Sequence, residues 1–131
     1  MGITVTVRDQ SSTGKPTGAV ELEDIPAAIT LRDLIRTRVR EEVARYNAAP
    51  RDVFRGLVMP EGAEPAEVGF VMGRPRRVDW ERQADRAVEA FSRNGFFVLV
   101  DDRQVTELDR PLELTADSDI RFVRLVQLVG G

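Results

Sequence analysis

Residues Ile3-Thr4-Val5-Thr6-Val7 alternate apolar and polar without a break, the period-two pattern of a half-buried strand. Residues 9–18, DQSSTGKPTG, have the Ser, Gly, Pro and Asp content of a loop. Val20-Glu21-Leu22-Glu23 alternates again, so the start of the chain reads as a hairpin with a long, mobile connection. The period then changes. Leu31, Leu34, Ile35, Val39, Val43 and Tyr46 recur at spacings of three and four, the apolar stripe of an amphipathic helix. Arg32, Arg36, Arg40 and Glu41 fall on its opposite face. Thr30, with Asp33 three residues on, reads as its N-cap, and Pro50 lies just past its end.

Periodicity fails over residues 48–78, which hold four of the seven prolines yet contain two apolar clusters around Val53-Phe54 and Phe70-Val71. An ordered excursion is expected there, with a short helix or an added hairpin. Asp79 reads as the N-cap of a second helix, with Trp80, Ala84, Ala87, Val88 and Phe91 as its buried stripe and Gly95 as its left-handed C-terminal glycine. Residues 96–108 read as strand, tight Asp-Asp-Arg turn and strand, and 109–119 mostly as turns. Ile120 to Leu128 has the β-branched and aromatic content of a last strand. Arg121 and Arg124 are three apart, which calls for a bulge or a change of exposed face near Val123.

The 131 residues are expected to form a single domain, with about 48–95 as an insertion and about 126–131 as a tail. A 42% hydrophobic and 31% charged composition is that of a soluble globule. With neither a long apolar run nor a leader pattern at its head, the expected compartment is the cytoplasm, with no membrane contact. The chain has no Cys and no His. That excludes thiol nucleophiles, a Ser-His-Asp triad and the commoner zinc sites, so neither an enzyme nor a metal site is expected. A net charge of −3 does not suit a nucleic-acid binder.

Three motifs give way to plainer readings. The STGKP run lacks the glycine and the Ser or Thr that a phosphate-binding loop needs, because Asp9 and Pro16 occupy those positions. GRPRR at 73–77 reads as a solvated loop. Asp101-Asp102 and the Asp117, Asp119 pair sit where turns favour Asp and lack calcium-loop spacing.

The last two positions, Gly130 and Gly131, carry the strongest chemical signal. At an ordinary glycine frequency of about 7%, such a pair arises by chance at roughly 0.5%. Acyl transfer from the protein's own carboxylate suits this arrangement. Glycine lacks Cβ, so the backbone can thread a narrow channel to a nucleotide. Extended, LVQLVGG spans about 24 Å at ~3.4 Å per residue, enough to enter another protein's active site.

The order of hairpin, amphipathic helix, excursion, strand, tight turn, strand, last strand and Gly-Gly resembles the β-grasp fold of ubiquitin and of sulfur carriers of the MoaD/ThiS type. TGK in the first loop and DIRFVRLVQLVGG at the end are similar to stretches of those proteins. The resemblance covers residues 3–47 and 96–131. It implies an α+β fold in which a mixed sheet, built from the first hairpin and the last strand, clasps one helix, with an insertion carrying a second helix. It also implies a ubiquitin-like modifier, bacterial by its arginine-rich composition, whose Gly130-Gly131 end is adenylated and conjugated. The implied partners are an E1-like adenylating enzyme, an E2-like or other transfer enzyme, a JAB-type deconjugating protease and a protein target. No cofactor is implied beyond the ATP that the activating enzyme uses. Gln127, Leu128 and Val129 would dock on the activator. Gln127 and Val129 stand where ubiquitin has arginines, which implies a different activator. Lys15, the only lysine, is the possible acceptor within the chain, so homotypic chains are not expected. The alternatives are a sulfur carrier with a C-terminal thiocarboxylate and a non-covalent interaction module.

Overall fold

A computed structural model of the chain describes residues 2–67 and 69–125. It is an α+β protein with a mixed sheet and two helices. In chain order the elements are β1 (Ile3–Ser11), β2 (Pro16–Ile25), β3 (Ala28–Thr30), α1 (Leu31–Ala48), β4 (Val53–Phe54) and β5 (Glu64–Pro65). After them come β6 (Phe70–Val71), α2 (Trp80–Ser92), β7 (Phe96–Val100), β8 (Arg103–Val105), β9 (Pro111–Glu113) and β10 (Ile120–Arg124). They divide into two compact units, one of residues up to Leu34 and from Phe91 onward, the other of Ile35–Ala90.

The first unit is built on a five-stranded sheet in the order β2-β1-β10-β7-β8. β1 and β10 run parallel at its centre, and the other neighbours are antiparallel. The alternation legible in the sequence sets its buried face. Val5 and Val7 of β1, Leu22 of β2, Val98 of β7, and Ile120 and Phe122 of β10 are all buried, as are Leu31 and Leu34 in the first turn of α1. Phe96 and Phe122 stack at 5.6 Å between ring centroids. Thr30 caps α1 as expected, its Oγ1 accepting the Asp33 N–H at 3.1 Å. The Leu108 carbonyl accepts the Arg32 N–H, a donor the helix cannot satisfy itself.

Four local expectations change here. The long connection at 9–18 is mostly ladder: β1 runs to Ser11 and β2 starts at Pro16, with a register shift between Asp9 and Gln10 absorbing the irregularity. β10 pairs with β7 in unbroken register, so no bulge separates Arg121 from Arg124. The two arginines simply occupy opposite faces, and Arg124 shares its face with Phe122. Asn94, at φ 62°, takes the left-handed position after α2 that Gly95 was expected to fill. Within the turn-rich 109–119 stretch, Pro111–Glu113 forms β9, which pairs with β3.

The second unit answers the question of residues 48–78. Its strands are two residues each and form a small sheet in the order β4-β6-β5. Backbone ladders this short hold little, and side chains do much of the tying. Asn47 donates from Nδ2 to the Val78 carbonyl and accepts the Val78 N–H on Oδ1, both at 2.9 Å. The Tyr46 hydroxyl donates to the Arg51 carbonyl at 2.8 Å. Gln83 Nε2 reaches the Val58 carbonyl at 2.7 Å and Arg86 Nε the Met59 carbonyl at 2.9 Å. Gly69 turns the chain into β6 at φ 75°, where a Cβ would lie 2.6 Å from the Phe54 carbonyl oxygen. Arg38 is buried, with Nε donating to Glu42 Oε1 at 3.3 Å.

Candidate functional site at the end of the central strand pair

Parallel pairing decides what lies together. Because β1 and β10 run the same way, both finish at one edge of the sheet, with Ser11 opposite Arg124. The tip of the first hairpin and the point where the chain leaves β10 are therefore neighbours. Among the described residues, this is where the expected acceptor Lys15 and the root of the expected tail come together.

The tip is compact. Ser11 N–H donates to the Lys15 carbonyl and Gly14 N–H to the Ser11 carbonyl, both at 2.9 Å. Lys15 N–H donates to Ser11 Oγ at 3.2 Å, and that hydroxyl lies 2.8 Å from Thr13 Oγ1. Gly14 sits at φ 86° with open space around it, so conformation alone favours glycine there. Lys15 is exposed, with its backbone fixed and its ammonium stem projecting from a defined turn.

The root is anchored by charge and backbone. Arg124 Nη2 approaches Asp9 Oδ2 at 3.9 Å, and Asp9 is buried on the face of β1 that also carries Val5 and Val7. Leu125 N–H donates to the Gly95 carbonyl at 3.4 Å, a long bond at the limit of useful geometry. Leu125 itself is 42% exposed, one of two large hydrophobic side chains left open among the described residues, the other being Val71. Gln127, Leu128, Val129, Gly130 and Gly131 lie outside the described residues.

The carboxylate pairs resolve into turn chemistry. Asp101 and Asp102 form the β7–β8 turn at φ 50° and 67°. Asp101 Oδ1 accepts the Asp119 N–H at 2.9 Å, while Asp119 Oδ2 pairs with Arg121 Nη2 at 2.8 Å. No group of three or more potential metal ligands occurs among the described residues. One pair does perturb ionisation. The Arg32 guanidinium grips Asp109 with Nε–Oδ1 at 2.8 Å and Nη2–Oδ2 at 3.1 Å. That bidentate hydrogen bond holds the Asp109 carboxyl below its ordinary range and raises Arg32 in turn.

In GRPRR, Arg76 is structural: its backbone N–H reaches the Tyr46 hydroxyl at 3.4 Å and its guanidinium donates to the Glu61 carbonyl. Sequence reasoning also missed how Trp80 is used. It was expected in the buried stripe of α2, yet it is half-exposed, with the guanidinium carbons of Arg36 and Arg40 at 5.4 and 5.3 Å from its ring centroid. The i, i+4 spacing of Arg36 and Arg40 on α1 was visible in sequence, but nothing in it pointed to Trp80, which lies 40 residues beyond Arg40 at the start of α2.

No helix among the described residues is long and apolar enough to cross a membrane. Comparison with known families, curated proteins and solved structures finds no match for the chain.

Proposed function

We propose that the protein is a ubiquitin-like modifier of β-grasp type, whose Gly131 carboxylate is activated by an E1-like adenylating enzyme and joined to an amine on a target. The observation that carries this reading is the parallel pairing of β1 with β10. It puts the first hairpin and the last described strand in one sheet, the arrangement the resemblance implies. β10 is followed by Leu125, an exposed apolar side chain six residues before Gly131 in the sequence. In this reaction the carboxylate attacks ATP and releases pyrophosphate, and an enzyme thiol displaces AMP to give a thioester. The target amine then displaces the thiol and forms the amide. Transfer would pass through an E2-like or other enzyme, with a JAB-type protease reversing it. Gln127, Leu128 and Val129 would meet the activator, and a cytoplasmic setting supplies the ATP.

The reading requires Gly131 to bear the free carboxylate, which the intact mass of the native protein tests. Incubation with ATP and a candidate adenylating enzyme is expected to give a thiol-sensitive adduct, and removal of Gly130-Gly131 to abolish it. An adduct that forms equally without those glycines would overturn the proposal. A mass gain equal to replacement of oxygen by sulfur, with no protein adduct, would point to the carrier instead.

A further inference from the structure

The two units differ in charge. Ile35–Ala90 holds 11 arginines against 10 carboxylates, whereas the rest of the chain holds 8 basic residues against 12 acidic ones. Within the arginine-rich unit, most cations whose contacts are defined serve the fold. Arg38 and Arg45 pair with Glu42 and Glu41, Arg82 with Glu61, and Arg76 and Arg86 hold backbone carbonyls. Arg40 is different. It is exposed, lies over the Trp80 ring and has no carboxylate partner among the described residues.

We infer that the Arg36–Trp80–Arg40 cluster is a docking surface for an acidic segment of a protein partner. Its neighbour shows how a carboxylate is taken. Arg36, over the same ring, donates from Nη1 to Asp85 Oδ1 at 3.2 Å, so the cluster already holds one carboxylate and lacks the second. A guanidinium lying over an aromatic ring keeps its in-plane N–H donors available for a bidentate carboxylate. Contact with the ring also restrains the side chain before the partner arrives, which lowers the ordering cost of binding. The arginine-rich unit carries a net charge of only +1 and the chain −3, short of the basic excess of a nucleic-acid binder, and this favours an acidic peptide over nucleic acid. The surface is independent of any chemistry at Gly131.

Trp80 is the only tryptophan in the chain, so its emission reports the site directly. A short glutamate-rich peptide titrated into the full chain at low ionic strength is expected to change that emission saturably. Arg40→Gln, at an exposed position that leaves the far-ultraviolet circular dichroism unchanged, should weaken binding about tenfold. Arg40→Lys should fall between, because lysine keeps the charge and loses the fork. Arg103→Gln, an equal charge change on β8, should bind like the parent. Equal binding by the parent and Arg40→Gln overturns the proposal, as does a titration that leaves Trp80 emission unchanged. Tighter binding of a single-stranded oligonucleotide than of a peptide of equal charge overturns it in favour of a nucleic-acid surface.

Discussion

The two compact units reach order by different means. In the first, five strands are joined by backbone ladders interrupted only by register shifts between β1 and β2, and side chains are left to fill a core in which Phe96 stacks on Phe122. In the second, the strands are two residues long, and buried or half-buried polar side chains from α1 and α2 carry the loop backbone. A ladder distributes its loss over many bonds. A side-chain tie concentrates it, because removing one residue strands the backbone groups it served. The first unit should therefore be most sensitive to core volume and the second to single polar substitutions.

The largest expected effect lies in the first unit. Phe122 is fully buried, and Phe122→Ala should cost about 3–5 kcal/mol in denaturant unfolding, with faster amide exchange in β1, β7 and β10. A loss below 1 kcal/mol would mean the sheet is not organised around that ring. In the second unit, Asn47→Ala deletes both bonds to Val78 and should cost about 2 kcal/mol. Asn47→Asp separates the two, since it keeps the acceptor for the Val78 N–H and loses the donor. If Asn47→Ala proves neutral, the polar ties are incidental and the contrast between the units fails.

The smallest effect concerns Asp109. Its folded pKa is lowered by the Arg32 hydrogen bond, so the pair stabilises above the ordinary carboxylate range and that contribution is lost as pH falls through the lowered value. Both groups are exposed, which keeps the contribution small and salt-sensitive. A carboxyl titration followed by NMR should place Asp109 below its usual range, and Arg32→Gln should return it there.

What was legible in the sequence follows the same division. The Ile3–Val7 alternation, the Leu31–Tyr46 stripe and both helix caps could be read directly because backbone periodicity and capping chemistry write themselves into residue type. The small sheet could not, because two-residue strands leave no period. Gln83 and Arg38, polar by type and buried in fact, could not be placed without their partners. The overlong first loop was a composition error: Ser11 and Pro16-Thr17-Gly18 look like turn residues yet lie in an edge hairpin, where a register shift accommodates them. At the candidate site, Lys15 and the last strand from Ile120 were each visible in sequence, though that strand was expected to reach Leu128 and β10 ends at Arg124. Their neighbourhood was not, since it depends on parallel pairing between strands more than a hundred residues apart.

The central claim is that Gly131 becomes bonded to an amine, and the chain provides its own marker for that bond. Residues 125–131, LVQLVGG, contain no Lys or Arg, so trypsin cutting after Arg124 leaves this whole segment on any modified lysine. Mass spectrometry of tryptic digests from cells making the native protein should therefore find lysines bearing an LVQLVGG branch, absent when Gly130-Gly131 is deleted. Finding the segment only as an unbranched peptide, with the adenylating enzyme present and ATP supplied, would contradict the account.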